Sequence, residues 1–186
     1  MLIPLRLSAQ TDEQLMLRAA RGSDRAFEEL YNRHARRLQG FFVRRLGDDG
    51  DLAADFMHDT FLRLYAAREK YHEGNSFRAW LYTIAYNLCK NHHRNQLTIV
   101  HDDEKDMTAE TDIEVELDES ILHDALREAL QSLPEPYAML FSLHYEEELT
   151  IPQIAQITDL PEGTVKSRLH KTMNIIKQQL KQYENR

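Results

Sequence analysis

Apolar residues recur at three- and four-residue steps through the first hundred positions, and this spacing predicts amphipathic helices. Thr11 and Gln14 have the spacing of a capping box and Gly22 is a typical stop, so together they enclose one short helix. Ser23 opens a longer helix that ends near Gly47. The apolar series of this second helix is Phe27, Leu30, Tyr31, His34, Leu38, Phe41 and Phe42.

Two further helices are predicted before residue 97. Asp51 opens one and Ser76 opens the other. Residues 69–75 between them contain Gly74 and no apolar period, which predicts a loop. The apolar series are Leu52, Phe56, Thr60, Phe61 and Leu64 in the third helix, and Phe77, Trp80, Ile84 and Leu88 in the fourth.

A second group of helices begins near Ser120. Its first member runs to Leu133, where Pro134 and Pro136 end it, and another helix follows from Tyr137 to Tyr145. The apolar positions of the first are Ile121, Leu122, Ala125, Leu126, Ala129, Leu130 and Leu133.

The end of the chain has the outline of a helix-turn-helix. Thr150 and Gln153 form a capping box around Pro152, which a first helical turn tolerates. That helix ends near Thr158, and a turn over 158–161 leads into the last helix. Two short helices joined by a tight turn, the second of them basic, are typical of this DNA-binding motif. The apolar face of the last helix is Val165, Leu169, Thr172, Met173, Ile176 and Leu180.

The charge is unevenly distributed along the chain. The chain has 186 residues and a net charge of −8, which taken alone argues against nucleic-acid binding. Residues 102–119 hold ten acidic residues and one basic residue, a net charge of −9. The net charge is +3 over 1–101, −7 over 120–162 and +5 over 163–186. An acidic run without aromatic residues or apolar periodicity is typical of a solvated connector.

The predicted fold is therefore all-α, with two small helical domains joined by a flexible acidic linker. We place the domains at 1–96 and 119–186 and the linker at 97–118. No window approaches eighteen uninterrupted apolar residues, and the segment 1–7 is too short and interrupted for a secretory signal. The single cysteine, Cys89, fits a reducing compartment and is predicted to be a small buried hydrophobe. We expect a cytoplasmic protein without membrane insertion.

The polar face of the last helix suits DNA. An α-helix fits the major groove, cations meet phosphates or guanine edges, and short hydroxyls reach backbone oxygens. The alternative is a solvated amphipathic helix whose cations favour its C-terminal end. The residues on this face are Thr164, Lys166, Ser167, His170, Lys171 and Asn174, with Arg168 near its boundary.

The fourth helix mixes aromatic residues with cations and amides. Such a mixture suits single-stranded or opened DNA, because bases stack on rings and phosphates need cations. Core packing is the alternative, and it is favoured for Trp80, which lies on the apolar series. Tyr82, Tyr86 and Asn87 lie off that series and are the better candidates for DNA contact.

The third helix has a polar face of Asp51, Asp55, His58, Asp59 and Arg63. Carboxylates four residues apart can bind a metal or transfer protons, and they also suit a solvated face or a docking face for a basic partner. No second helix supplies a matching pair of ligands, and no phosphate-binding loop or nucleophile–base pair is identifiable. We expect no metal, no cofactor and no catalytic residue.

Three stretches give the sequence a family resemblance. They are DLAADFMHDTFLRLY over 51–65, FRAWLYTIAYNL over 77–88 and GTVKSRL over 163–169. In this order and at this chain length, the sequence resembles the extracytoplasmic-function sigma factors, small subunits of bacterial RNA polymerase. The resemblance covers residues 12–96 and 118–182 and implies a non-enzymatic protein that binds core polymerase and recognises and melts promoter DNA.

The resemblance implies a sigma region 2 in the first domain and a sigma region 4 in the second. The third helix would dock on the clamp helices of core polymerase through Asp55, His58, Asp59 and Arg63. Region 4 would read the −35 element through Thr164, Lys166, Ser167, Arg168, His170 and Lys171. The −10 element would be captured by Tyr71, Asn75, Ser76, Arg78, Tyr82, Tyr86, Asn87, Lys90, His93 and Arg94, with Asn87 at the position of strand separation. The other implied partners are the polymerase flap and an anti-sigma factor.

The sequence departs from the family pattern at three positions. His58 stands where glutamine is usual and Tyr86 where arginine is common. Asp159 replaces a turn glycine, which is tolerable because Asp accepts the left-handed conformation. Two other hypotheses remain open from the residues. One is a regulator that binds duplex DNA without polymerase, and the other is a helical hydrolase that uses Asp55 and Asp59.

Overall fold

The structure, a computed structural model, describes residues 6–96 and 119–184. Over those two ranges the regular elements are α-helices with short 3-10 or π-helical segments, and there is no strand. The chain divides into two compact units, residues 1–100 and 101–186. The predicted all-α class with two helical domains is confirmed, while the predicted linker over 97–118 lies outside the described residues.

The first unit packs four helices around a core of aromatic and aliphatic side chains. The second helix contacts the first and the third, and the third contacts the fourth. Phe41 packs edge to face on Phe42 and on Tyr82, with ring centroids 5.5 and 5.4 Å apart. The elements are a 3-10 turn at Leu7–Ala9, α1 at Asp12–Ala20, α2 at Asp24–Arg45, α3 at Gly50–Ala66, a 3-10 turn at Arg68–Lys70 and α4 at Phe77–Gln96.

A polar cluster ties the start of α1 to the middle of α2. Asp12 accepts hydrogen bonds from Arg33 (3.0 Å) and His34 (2.7 Å), and Arg33 also binds Glu29 (2.9 Å). Arg33 donates as well to the carbonyl of Leu7 (3.1 Å). The hydrogen bond from His34 is the main cause that lowers the pKa of the Asp12 carboxyl from 3.8. The cluster therefore holds the start of the described chain and α1 against the middle of α2.

The predicted helix ends of the first unit are largely confirmed. The Thr11 hydroxyl accepts from the Gln14 amide (3.3 Å), and the Gln14 side chain accepts from the Thr11 amide (3.1 Å). Gly22 adopts a positive φ of 93°, as suits a stop. The third helix begins earlier than predicted, because the cap is Asp49 and not Asp51. The Asp49 carboxylate accepts from the Leu52 amide at 2.9 Å.

The second unit packs short helices on one long terminal helix. Its aliphatic core brings Ala125 and Ala129 together with Ile176 and Leu180. The long helix contacts each of the three shorter ones. The elements are α5 at Glu119–Gln131, α6 at Glu135–Phe141, a π-helical segment at Ser142–Glu146, α7 at Ile151–Thr158 and α8 at Glu162–Glu184.

The sixth helix starts two residues before the predicted Tyr137. Pro134 is its N-cap residue, and Pro136 lies within the first turn, where its missing N–H is not needed. Of the two prolines, only Pro134 therefore lies between α5 and α6. The helix also ends sooner than Tyr145, because the chain widens into the π-helical segment after Phe141.

Candidate functional site

The terminal helix pair forms the predicted helix-turn-helix. Thr150 and Gln153 make both hydrogen bonds of the capping box that starts α7. Asp159 ends α7 in the left-handed conformation, with φ 58° and ψ 35°, as its replacement of a turn glycine predicted. Leu160 donates from its backbone to the Ala155 carbonyl at 3.2 Å, which closes the turn. The turn is therefore fixed by local hydrogen bonds on both sides.

The outward face of α8 carries the residues predicted to meet DNA. Val165, Leu169 and Thr172 are buried against the rest of the unit. Because these three occupy the inner face, the polar residues point away from the core. Lys166, Ser167 and His170 are exposed, and Thr164, Arg168 and Lys171 are half-buried. The structure thus brings all six predicted residues to one side of one helix.

Two hydroxyls near this face are engaged within the helix. Ser167 donates to the Thr164 carbonyl at 3.0 Å, and Thr172 donates to the Arg168 carbonyl at 2.8 Å. Lys171 lies at the edge nearest α6, with its Nζ 5.6 Å from the centre of the Tyr137 ring. Sequence reasoning did not find Tyr137, since helical spacing gives no information about a residue 34 positions away.

A second polar face runs along α4. Asn87, Lys90 and Arg94 are exposed there, and Tyr86 beside them is half-buried. The Lys90 ammonium lies over the Tyr86 ring, 5.9 Å from its centre. Of the other predicted contacts on this helix, Arg78 and His93 are half-buried. The face therefore offers cations, an amide and one ring within two helical turns.

The placement of Tyr82 on that face was wrong. Tyr82 is 1% exposed and packs on Phe41 in the core of the first unit. The buried side of α4 is rotated from the predicted series towards Leu81, Tyr82, Ala85 and Cys89. The ring has no free surface for a base, so Tyr82 is a core residue. Cys89 is fully buried, as predicted.

Tyr71 is likewise unsuited to direct DNA contact, although the resemblance pointed to it. The residue is 4% exposed, and its hydroxyl donates to the carbonyl of Asn75. Burial is the main cause that raises the pKa of this phenol to about 12. Trp80 stacks on the Tyr71 ring, with centroids 5.4 Å apart, and is itself half-buried. Tyr71 is thus a buried packing residue whose hydroxyl holds the loop backbone at Asn75.

The loop before α4 is anchored at its end. Ser76 accepts from the Ala79 amide at 3.2 Å and so caps the helix. Glu13 of α1 accepts from the Phe77 amide at 3.3 Å, which holds the same helix start from another element. Asn75 is exposed between these anchors. Of the three predicted loop residues, Asn75 alone presents an exposed side chain.

The polar face of α3 gathers the four predicted docking residues. Asp59 and Arg63 form an ion pair at 2.9 Å, and Asp55 and His58 are exposed beside it. His58 Nε2 lies 3.2 Å from the hydroxyl of Tyr31 on α2. Leu62 stands on the same face and is 68% exposed. The sequence signal for Leu62 was its position outside the apolar series of α3.

The described residues, 6–96 and 119–184, hold neither a cluster of metal ligands nor a membrane-spanning helix. No group of three or more His, Cys, Asp or Glu side chains there is placed to hold a metal ion. None of the helices between residues 6 and 96 or between 119 and 184 is both long enough and apolar enough to cross a membrane.

Known proteins resemble this chain in both units. Residues 30–97 match the Sigma-70 region 2 family, and residues 123–174 match the Sigma-70, region 4 family. The RNA polymerase sigma-H factor of Pseudomonas aeruginosa is 30% identical over 185 residues, covering 91% of this chain and 94% of that protein. The ECF RNA polymerase sigma-E factor of Haemophilus influenzae is 27% identical over 182 residues, covering 91% and 95%.

Solved structures share the fold. CnrH, in complex with the cytosolic domain of CnrY, superimposes with a TM-score of 0.67 at 21% identity, covering 91% of this chain and 97% of that one. The sigma factor RpoE, in complex with the anti-sigma factor NepR from Bartonella quintana, gives a TM-score of 0.63 at 23% identity, covering 83% and 96%. Both matched regions, in the order region 2 and region 4, thus coincide with the two units. The chain belongs to the RNA polymerase sigma factors of the extracytoplasmic-function type.

Proposed function

We propose that this protein binds core RNA polymerase and directs it to promoters by reading a −35 element with α8 and capturing a −10 element with α4. The observation that carries the proposal is the polar outer face of α8, which holds Lys166 exposed and Arg168 and Lys171 half-buried on a helix-turn-helix within an acidic chain. A cationic helix of this kind enters the major groove and meets phosphates and base edges. Membership of the sigma family makes a regulator that acts without polymerase the less favoured hypothesis.

For the −35 element, we assign reading to Lys166, Ser167 and His170, which are exposed on the outer face of α8. Thr164, Arg168 and Lys171 flank them and reach the phosphate backbone. The charge of the last 24 residues, +5, supports this assignment because phosphate neutralisation dominates DNA affinity.

For the −10 element, the support is the α4 face with Asn87, Lys90 and Arg94 exposed. Tyr86 offers the half-buried ring on which an unpaired base can stack. Asn75, Ser76, Arg78 and His93 border this surface. Tyr71 and Tyr82 are buried and serve as packing residues rather than as DNA contacts.

For polymerase docking, we assign the α3 face to the clamp helices. An exposed leucine among charged groups is typical of a protein interface, in which an apolar centre is surrounded by polar groups. Leu62 would be that centre, with Asp55, Asp59 and Arg63 around it. We further propose that the region 4 unit binds the polymerase flap.

The remaining parts of the proposal follow from the family. Sigma factors act as initiation factors, so we infer that this protein catalyses no reaction and works in the cytoplasm with polymerase. CnrH was solved in complex with the cytosolic domain of CnrY, and RpoE was solved in complex with the anti-sigma factor NepR. We infer by analogy that an anti-sigma factor holds this protein when it is inactive.

Transcription from a cognate promoter tests the −35 assignment. The triple change Lys166→Ala, Arg168→Ala and Lys171→Ala should lower promoter-directed transcription at least about tenfold, because each good base or phosphate contact contributes about 1–3 kcal/mol. Co-purification with core polymerase should be unchanged. Lys177→Ala, on the same helix but outside the predicted set, is the matched control. Unchanged transcription by the triple variant would contradict the assignment.

Co-purification with core polymerase tests the docking face. Asp55→Lys together with Leu62→Ser should remove polymerase from the complex, since the change reverses a charge and deletes the apolar centre. Thermal unfolding of the free variant should match the parent, because both side chains are exposed. Retention of polymerase at the parental level would assign this face to another partner.

A further inference from the structure

One DNA-facing cation of α8 lies against a ring from a different helix. Lys171 Nζ is 5.6 Å from the centre of the Tyr137 ring, within the distance at which a ring face attracts an ammonium group. Tyr137 belongs to α6, outside the helix-turn-helix formed by α7 and α8. The helix α7 contains no aromatic residue, so α7 supplies no ring to Lys171.

The backbone that carries the Tyr137 ring is held by contacts that do not involve the lysine. Pro134 and Pro136 restrict the backbone at the start of α6, and the Tyr137 amide donates to the Pro134 carbonyl at 2.9 Å. The next residue, Ala138, is buried in the same core as Ile176 of α8. The ring therefore stands at the contact between α6 and α8 on a backbone that has little freedom.

The lysine, in contrast, has a flexible stem. A lysine side chain has four rotatable bonds and loses rotamer entropy when it is held in one position. Lys171 follows Ser167 and Arg168 by one helical turn, so its ammonium lies beside the face assigned to DNA. A ring that restricts the stem before binding reduces the entropy lost when the ammonium meets a phosphate.

We propose that Tyr137 is a positioning residue for promoter recognition, whose ring holds the Lys171 ammonium where it meets a phosphate of the −35 element. The inference rests on the proposed function, because it needs Lys171 to contact DNA. It adds α6 to the recognition surface, and it makes a packing contact between two helices a determinant of DNA affinity.

Promoter binding by the reconstituted holoenzyme tests the role of the ring. Tyr137→Leu should weaken binding about two- to fivefold, the effect of losing one exposed cation–π contact. Tyr137→Phe keeps the ring and should bind as the parent does. If Tyr137→Phe is as weak as Tyr137→Leu, the hydroxyl acts and the proposal is overturned.

A double-mutant cycle separates positioning from folding. With Lys171→Ala already present, Tyr137→Leu should have no further effect on promoter affinity, whereas with Lys177→Ala present its two- to fivefold effect should remain. An equal loss in both backgrounds would assign Tyr137 to packing alone and overturn the proposal. Unfolding curves of each variant identify any loss that comes from the fold.

The salt dependence of binding gives a second readout. Lys171→Ala should reduce the slope of log affinity against log salt by about one phosphate contact, and Tyr137→Leu should reduce it in the same direction. If Lys171→Ala changes neither affinity nor slope, the assignment of Lys171 to the −35 element fails. If Lys171→Ala has its effect and Tyr137→Leu has none, only the positioning role fails.

Discussion

The two units use aromatic residues in opposite ways. In the first unit the rings of Phe41, Phe42 and Tyr82 are buried together in the core. In the second unit the core is aliphatic, and the described aromatic residues Tyr137, Phe141 and Tyr145 lie at its periphery. Aromatic content therefore does not indicate a nucleic-acid surface unless burial is known.

The difference also changes what each unit offers to DNA. The first unit keeps most rings for packing and exposes an amide and cations on α4, with Tyr86 beside them. Its lysine–ring contact joins residues one turn apart on one helix, Tyr86 and Lys90. The corresponding contact of the second unit joins two helices, Tyr137 and Lys171. Under the proposed function, DNA recognition by the second unit thus depends more directly on how its helices pack.

Removing a core ring should give the largest effect. Tyr82→Ala should destabilise the first unit by about 3–5 kcal/mol, the range for losing a buried aromatic side chain. Because Trp80 is the only tryptophan and lies in the first unit, its fluorescence follows the unfolding of that unit. Tyr145→Ala in the second unit is the control, and its unfolding is followed by far-ultraviolet circular dichroism because Trp80 does not report that unit. Tyr145 is 47% exposed, so its loss should change stability by no more than about 0.5 kcal/mol.

The outcome also decides the role of Tyr82. If Tyr82→Ala keeps parental stability and loses binding to opened −10 DNA, the contrast between the two units fails and the residue faces DNA after all. Tyr82→Phe, which keeps the ring, should retain binding and should lose much less stability than Tyr82→Ala.

The polar cluster around Asp12 should give an intermediate effect that only the first unit shows. Asp12→Asn should cost about 1.5–3 kcal/mol, the range for hydrogen bonds to a charged group. The folded protein lowers the pKa of Asp12 below 3.8, so its stabilisation is complete above that pH and is lost as the pH falls through the lower, folded value. Trp80 fluorescence during acid titration measures this loss.

The Asp12→Asn variant should accordingly show a weaker dependence of stability on pH in the acid range. Asp55→Asn, an exposed aspartate of the same unit, is the matched control and should leave the acid profile unchanged. If the stability of Asp12→Asn still falls steeply as the pH is lowered, other carboxylates govern the acid stability of the first unit.

Removing the capping box should destabilise each of the two units by the same amount. Thr11→Ala and Thr150→Ala should each cost about 1 kcal/mol, because each leaves one helical N–H without its side-chain acceptor. Trp80 fluorescence reports the first change, and far-ultraviolet circular dichroism of the whole chain reports the second. Thr→Ser at either site should restore most of the loss. Clearly unequal costs would show that the surrounding core modifies the cap.

The left-handed aspartates should give the smallest effects. Asp48 in the first unit has φ 63° and Asp159 in the second has φ 58°. Asp48→Gly and Asp159→Gly should each raise stability by about 0.5 kcal/mol, because relief of the Cβ contact exceeds the added chain entropy of glycine. Asp159→Val should lower stability, since a β-branched residue tolerates this conformation poorly. Loss of stability on Asp159→Gly would show that the carboxylate stabilises the turn. Thermal unfolding measures all three.

Sequence reasoning succeeded where the chemistry is local. The capping boxes at Thr11 and Thr150 depend on residues three positions apart, and the left-handed Asp159 depends on its own backbone, so short motifs predict them. The outward face of α8 was also found, because Val165, Leu169 and Thr172 define its inner side. Each of these features is determined within one or two helical turns.

Sequence reasoning failed where the answer depends on neighbouring helices. On α4, spacing alone allows a series through Trp80 and Ile84 or one through Leu81 and Ala85, and packing against Phe41 of α2 selects the second. The small side chains at Ala85 and Cys89 were the available signal, because close helix packing favours small residues. The contact between Tyr137 and Lys171 had no signal of this kind, since it joins distant parts of the sequence.

The buried thiol of Cys89 makes the chain suited to a kinetic measurement. It is the only cysteine, and it is fully enclosed on α4, the helix assigned to the −10 element. A thiol reagent can reach it only when the first unit opens locally, so the alkylation rate, compared with that of an exposed thiol, gives the opening equilibrium of that unit alone. The same measurement with promoter DNA would report whether capture of the opened strand tightens or loosens α4, without any introduced label.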